Sequence, residues 1–484
     1  MDIIAILEFV SNILAVEALL MLPSVGISAY CGEFSSVKAF LVTIVLLTLT
    51  SLLLRIKGKG TRVIHAKEGF AIVAISWIAM SIFGALPFYI SGSIPSFIDC
   101  VFETVSGFTT TGASILTNIE SLPRGILYWR AFTHWIGGMG VLVFILAVLP
   151  VSKSTVGSLY ILQSESPGPT VGKLVPSMKS SASILYRIYM FLTLMEILFL
   201  LLGGMPLFDS ITNAMATAGT GGFCIKNSSI AAYDSFYLQG VISVFMVLFG
   251  INFNIFYFIL IKQFKRAYKN EELKIYLGII AIATILIGFN VRSLFDTPFE
   301  AFHHSFFQVA SVMTTTGFAT TNFDLWPEFS RIIIIGLMII GASAGSTGGG
   351  IKVARLVLLA KAAKNGVQKH QHPNSVRVIK MDDKIVSDQV ISSVFVFMFV
   401  YCTIVFISIL IVALNNFDFE TTVTSVLTCI NNVGPGFGMV SPIGNFHEFS
   451  VLSKIVLIAN MLIGRLEIFP MLMIFMPSYW KRGK

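Results

Sequence analysis

Apolar residues run along this chain in blocks longer than a soluble helix needs. The blocks cover about 3–30, 37–54, 69–92, 126–150, 184–204, 236–261, 274–292, 330–362, 387–414 and 449–477. At ~1.5 Å of rise per residue, each reaches across ~30 Å of hydrocarbon. Four shorter stretches alternate with them: "PSFIDCVFETVSGFTTTGAS" (95–114), "PLFDSITNAMATAGTGGFC" (206–224), "PFEAFHHSFFQVASVMTTTGFAT" (298–320) and "FDFETTVTSVLTCINNVGPGFG" (417–438). Each opens near Pro or Phe with one or two acids, which suits a helix N-terminus. Each then ends in Thr/Gly or Gly-rich sequence. Their helix-compatible parts are too short to span, so they read as re-entrant half-helices. The pattern predicts an all-α polytopic membrane protein.

Composition agrees. The chain of 484 residues is 55% apolar and 12% charged, against roughly 25% charged in soluble domains. The net charge of +8 does not indicate nucleic acid, because 25 of the 33 Lys and Arg fall in five clusters: 55–67, 153–187, 262–274, 352–384 and 481–484. All five lie on one side of the ten spans. By the positive-inside rule that side is cytoplasmic, and so are both termini. The N-terminal block lacks a basic n-region and a cleavage site, so it reads as a retained helix. Cys31, Cys100, Cys224, Cys402 and Cys429 are scattered and support neither a disulfide framework nor a zinc site.

The four short stretches form an internal repeat. Aligning Gly112, Gly222, Gly317 and Gly436 gives separations of 110, 95 and 119 residues. The unit is span, half-helix, Gly-ended loop, span. Residues 1–68 supply two extra N-terminal transmembrane helices, and the repeats occupy 69–152, 182–266, 274–364 and 387–480. Four units in one orientation predict pseudo-fourfold symmetry around one pore. Irregular backbone at membrane depth is tolerated where it is buried or lines water. Rings of backbone carbonyls can replace an ion's hydration shell. Gly supplies the positive φ that such a strand needs, and half-helix C-termini favour a cation. Asp99, Glu103, Asp209, Glu300, Asp418 and Glu420 are expected to add negative potential at the mouth. A single TTTG reads equally as a helix cap and turn; four copies favour the pore.

"ETVSGFTTTGAS", "HWIGGMGVLV" (134–143), "ATAGTGGF", "GASAGSTGGGIK" (341–352) and "NNVGPGFG" resemble the motifs of the Trk/Ktr/HKT superfamily of potassium transporters, most closely the bacterial TrkH membrane subunits. The resemblance covers nearly the whole chain. It implies a potassium-selective pore in the bacterial inner membrane, a homodimer, and a cytosolic TrkA-like nucleotide-binding ring as partner. It assigns the selectivity filter to Thr110, Thr111 and Gly112, to Thr220, Gly221 and Gly222, and to Thr315, Thr316 and Gly317. The fourth strand, Asn432-Val433-Gly434-Pro435-Gly436, departs from the pattern. It has no Thr, and either Gly434 or Gly436 is the counterpart. The only ligand implied is the potassium ion, held by backbone carbonyls.

The run Gly341 to Gly350 interrupts a span near its middle. Gly341, Gly345, Gly348, Gly349 and Gly350, at roughly 1 kcal/mol each against Ala, should break the helix. Ser346 and Thr347 complete the segment, which reads as a gate beneath the filter; close helix packing is the alternative. Arg465 lies inside the last span and is expected to face the cavity below the filter, with Glu467 as its alternative partner. Lys352 is expected to snorkel at the cytoplasmic end. No Walker motif or strand-borne GxGxxG is present, so no nucleotide is expected on this chain. The basic segment 352–384 offers a docking surface for the ring that the resemblance implies; a solvated loop that anchors the topology is the alternative. Few acids lie deep in the spans (Glu196 and Glu467), which favours a channel over a proton- or sodium-coupled symporter. His134, His303 and His304 stand without an HExxH or hydrolase constellation, so enzyme activity is not expected. His134 reads as a packed aromatic beside Gly137, Gly138 and Gly140.

Overall fold

The computed structural model describes residues 3–57, 66–140, 178–371 and 378–476. The distal part of the 126–150 span, most of the basic clusters 55–67 and 153–187, and the terminal KRGK lie outside the described residues.

The helical, multi-span fold class read from the sequence is the observed one, and its helices are grouped by the repeat units expected from the sequence. α1 (Ile3–Leu20), α2 (Leu22–Tyr30) and α3 (Phe34–Lys57) precede the repeats. The first repeat is α4 (Ala66–Ile90), α5 (Phe97–Phe108) and α6 (Arg124–Gly138). The second is α7 (Met178–Leu202), α8 (Leu207–Ala218), α9 (Phe236–Phe249) and α10 (Phe253–Leu260), followed by the short α11 (Phe264–Lys269). The third is α12 (Glu271–Asn290), α13 (Pro298–Met313), α14 (Glu328–Ile340) and α15 (Val353–Gln371). The fourth is α16 (Asp388–Val412), α17 (Phe419–Ile430), α18 (Val451–Arg465) and α19 (Phe469–Phe475). A two-residue hairpin, β1 (Lys380–Met381) with β2 (Lys384–Ile385), joins the last two repeats.

Six described helices are long and apolar enough to cross a membrane, or seven if the bent pair α9–α10 counts as one. Their outer faces are apolar because lipid is the solvent: Leu49, Leu52 and Leu53 on α3, and Phe399, Phe406 and Leu410 on α16, are exposed. Small polar residues join helices inside. Ser11 and Ser51 each donate to the other's carbonyl at 2.8 Å, tying α1 to α3.

The short helices α5, α8, α13 and α17 are the buried heart of the molecule. On α5 every residue from Cys100 to Phe108 except Val101 is buried, and on α17 every residue from Ser425 to Ile430 is. Such a helix is surrounded by protein rather than lipid.

The second helix of the unit is broken more often than the glycine signal indicated. α9 and α10 meet at a 91° bend at Gly250–Asn252. α14 and α15 are separated by the glycine segment, and α18 and α19 by Leu466–Ile468. Glu467 and Ile468 there take φ of 59° and 57°, so the last break is made without glycine.

Candidate functional site: a ring of four loops above a glycine segment

All four short helices close the same way. In α5, Thr110 N–H donates to Gly107 O at 3.1 Å and Thr111 N–H to Ser106 O at 2.9 Å. α8 repeats this with Thr220 and Gly221, α13 with Thr315 and Thr316, and α17 with Asn432 and Val433. This paired cap needs one residue in the left-handed region, usually Gly. Here it is Thr110, Thr220, Thr315 and Asn432, at φ of 55°, 53°, 60° and 54°. A β-branched residue at positive φ is strained, and strain of this kind collects at functional sites.

Two residues on, Gly112, Gly222, Gly317 and Gly434 have φ of 81°, 74°, 85° and 98°. This fixes the fourth register: Gly434 is the counterpart. Gly436, the glycine aligned above, does not belong to the set. It lacks positive φ, and a Cβ on it would meet Thr424 rather than a neighbouring loop.

The four loops form a closed ring. A Cβ on Gly112 would overlap Gly221 O, one on Gly222 would overlap Thr316 O, and one on Gly317 would overlap Val433 O. A Cβ on Gly434 would lie 2.8 Å from Thr111 O, which closes the circle. Thr111, Gly221, Thr316 and Val433 are equivalent residues, so each glycine stands against the same carbonyl of the next loop. Any side chain at these glycines meets backbone, which cannot move aside.

Several groups brace the ring. Glu103 accepts from Arg130 Nε at 2.6 Å and from Ile115 N–H at 3.0 Å. Arg130 also donates to Cys224 O at 2.9 Å and sits 3.5 Å over the Phe223 ring. Asp99 pairs with Lys454 at 2.7 Å, and Asp209 accepts from Tyr233 at 2.7 Å. Arg331 joins Glu420 and Asp324. Asp418 caps α17, accepting from Thr421 N–H at 2.8 Å and from its hydroxyl at 2.6 Å. Burial would raise the Asp418 carboxyl, but these hydrogen bonds outweigh it and hold the group below its ordinary value. Asp99 and Glu103, expected to add negative potential at the mouth, are held in buried ion pairs. The open space on this side, about 130 Å³, is lined by all four ring glycines together with residues such as Lys226, Asn227 and Asn445.

The glycine segment lies directly against the other side of the ring. Gly349 N–H donates to Thr315 Oγ1 at 2.6 Å. A Cβ on Gly348 would lie 2.8 Å from Thr314 O, and one on Gly349 3.0 Å from the Asn432 Cβ. Gly341, Gly345 and Gly350 have positive φ. Ser346 donates to Ser343 O at 2.7 Å, and Thr347 to Phe249 O at 3.2 Å.

Four elements hold this segment. Arg465 donates to Thr347 O at 2.8 Å, to Gly138 O at 2.7 Å and to Gly137 O. Glu272 Oε1, on α12, accepts Ala344 N–H at 2.6 Å and Ala354 N–H at 3.2 Å, clipping both ends of the segment. Gly345 O accepts from Phe253 N–H at 3.1 Å at the α9–α10 bend. Lys352, at the segment's own end, is 2% exposed and donates to Gly348 O. It does not snorkel: its backbone is left-handed, at φ of 80°, and its ammonium lies buried under the glycines. Glu467 is not the partner of Arg465; it pairs with Arg355, whose guanidinium also lies 4.1 Å over Phe397. The space between Arg465, Lys352, Glu467 and Gly348–Gly350 is only about 10 Å³, room for one water at most.

Sequence reasoning missed Glu272, Asn252 and the Glu103–Arg130 tie. Glu272 looks like any acid in a first turn and Asn252 like any turn residue. Arg130, a charge inside an apolar block, was the one available signal. No group of three or more metal-ligating side chains occurs among the described residues.

Comparison with known proteins completes the picture. The TrkH family model, described as a cation transport protein, matches residues 35–482. The Trk system potassium uptake protein TrkH of Escherichia coli K12 is 35% identical over 432 residues, covering 88% of each chain. TrkG of the same strain is 33% identical over 469 residues, covering 96% of each. The crystal structure of the potassium transporter TrkH from Vibrio parahaemolyticus matches with a TM-score of 0.88 at 29% identity, over 99% of this chain and 100% of that one. This chain belongs to the TrkH family of cation transport proteins, and is a multi-pass membrane protein.

Proposed function

We propose that this chain carries potassium across the bacterial inner membrane through the axis of the four-loop ring, and that the glycine segment is its closed gate. The observation that carries the reading is the circle of four equivalent carbonyl positions, Thr111, Gly221, Thr316 and Val433, each abutted by a positive-φ glycine of the preceding loop. Backbone carbonyls held this way are the chemistry of a dehydrating cation filter, and four helix C-termini converge on it. Relatives named as potassium uptake proteins support potassium as the ion. The filter comprises Thr110–Gly112, Thr220–Gly222, Thr315–Gly317 and Asn432–Gly434; Pro435 packs beside Gly317.

The gate reading rests on contact and space. Gly349 bonds Thr315 at the ring's inner edge, and the space beyond is too small for a hydrated ion. Arg465, Lys352 and Glu272 hold the segment shut. Opening would be driven by a cytosolic nucleotide-binding partner of the TrkA kind, docking on the basic side, where Lys361 pairs with Glu271 beside the β1–β2 hairpin. The partner, the homodimer and the cytoplasmic termini rest on the family resemblance and the charge pattern. A proton-coupled symporter is the second reading, favoured by Glu17 and Glu196, two fully buried acids in the spans.

The test is cation flux into liposomes under a potassium gradient, with and without a proton or sodium gradient. Downhill flux needing no second gradient, and raised by deleting residues 346–349, is expected. Flux that requires the second gradient would establish the symporter instead. A deletion that abolishes flux in folded protein would make the segment a packing element.

A further inference from the structure

Side chains flank the left-handed residue on both sides in three of the ring loops, but not in the second, whose Thr220 hydroxyl only turns back to Gly219 O at 2.6 Å. Thr109 and Thr111 share a hydroxyl–hydroxyl bond of 2.8 Å, and Thr314 and Thr316 one of 2.7 Å. In the fourth loop Asn431 bonds Tyr401, and Val433 is fully buried in an apolar cluster. The second loop has Gly219 and Gly221 at those two positions.

Neither glycine is required by its own backbone. Gly221 lacks positive φ, and Gly219 is αR at φ −69°. What excludes a side chain is α6. A Cβ on Gly219 would overlap His134 O, and one on Gly221 would land in the His134 ring, 2.5 Å from Cδ2 and closer still to Cγ and Nδ1. The imidazole occupies the volume that Thr111 and Thr316 fill in their own loops.

His134 is fixed there from two directions. Its Nδ1 is 2.7 Å from Gly107 O, a carbonyl that also accepts Thr110 N–H in the first loop's cap. A carbonyl cannot donate, so Nδ1 carries the proton. The ring also packs on Phe223, centroids 4.1 Å apart, and Arg130, one helical turn earlier, holds the same ring. His134 therefore touches the first loop's cap and the second loop's middle residue at once.

We propose that His134 is a positioning residue for ion selectivity, a side chain lent by the first repeat to the second loop in place of the missing threonine pair. The proposal rests on the reading of the ring as the filter. His134 acts through the Gly221 carbonyl and touches no ion. Removing it leaves a cavity against Gly221, and the freed strand no longer holds its carbonyl on the circle. Gly221 is a glycine because His134 is there, so the two positions should compensate.

The experiment is the potassium-to-sodium flux ratio in liposomes for His134→Ala, Gly221→Thr, the double variant and His134→Phe, with Gly112→Ala as the control for the filter. His134→Ala should lower the ratio about tenfold, since truncating a buried ring leaves a void. Gly221→Thr should lower it comparably by overpacking. The double variant should regain most of the wild-type ratio, and His134→Phe, which keeps the volume and loses the bond to Gly107, should stay within about threefold of wild type. A double variant no better than the worse single, in protein that folds, overturns the proposal. Should His134→Ala fail to fold, the Phe pair decides: adding Gly221→Thr to His134→Phe must be damaging, and a neutral result refutes the assignment. If Gly112→Ala also leaves the ratio untouched, the filter reading fails with it; if Gly112→Ala lowers the ratio while the His134 and Gly221 variants do not couple, only this proposal fails.

Discussion

The ring and the glycine segment beneath it are both glycine-rich and both buried, yet they are held in opposite ways. The ring takes its shape first from backbone: four matching helix caps, four left-handed residues of which three are strained threonines, and four glycines pressed on a neighbour's carbonyl. The segment is tied by charged side chains, Arg465 and Glu272 from other helices and Lys352 at its own end, alongside backbone bonds to the α9–α10 bend at Phe249, Gly250 and Phe253. A structure fixed by its own backbone keeps one geometry, as ion discrimination requires. One tied in part by a few detachable side chains has a second state within reach, as gating requires.

Substitutions at three positions sharpen this contrast. The largest effect is expected at Gly112. Gly112→Ala adds a Cβ at positive φ that overlaps Gly221 O, so the ring must deform. The potassium-to-sodium flux ratio should fall by about two orders of magnitude, which is ~2.7 kcal/mol of lost discrimination. An unchanged ratio removes Gly112 from the ion path.

Arg465 comes next and reads on the other half of the contrast. Its guanidinium bridges the segment to two carbonyls at the end of α6. Bonds to a charged group contribute about 1.5–3 kcal/mol each, so Arg465→Ala should raise basal flux by about tenfold or more. The selectivity ratio should stay at the wild-type value. Arg465→Lys should fall between, because an ammonium cannot span both acceptor groups as the planar fork does. A variant in which flux is unchanged and only thermal stability drops would make Arg465 a structural tie.

The smallest effect is expected at Asp418, at the end of α17 away from the ring. Losing this N-cap should cost about 1 kcal/mol of stability and leave selectivity and gating alone. Because its carboxyl is held low, the contribution is complete above the ordinary carboxylate range. It is lost as pH falls through the depressed value, so thermal melts of wild type and Asp418→Ala should converge on acidification.

Much of this was legible in the chain because a bilayer leaves little choice. Backbone polar groups there must be satisfied within helices, so ten apolar blocks and four short interrupted ones already imply the helical plan. The first three ring loops were legible because Thr-Gly sequence marks a cap followed by positive φ. The fourth was not, since Asn432 takes the left-handed role without a Thr to announce it, and a second glycine two residues on drew the alignment to Gly436. The glycine run exposed one helix break, while those at Gly250–Asn252 and Leu466–Ile468 carry no such run. Least legible were contacts that depend on distant packing. Arg465 reaches carbonyls more than three hundred residues away, Glu467 turns to Arg355, and Lys352 turns back to Gly348 O.

The central claim is that ions pass along the axis of the ring, coordinated by the carbonyls of Thr111, Gly221, Thr316 and Val433. Crystals soaked in rubidium or thallium salts, examined by anomalous diffraction, test it most directly. A peak is expected on that axis within coordination distance of all four oxygens, lost or displaced in Gly112→Ala. An empty axis, with the heavy cation bound instead among the buried acids of the spans, would contradict it.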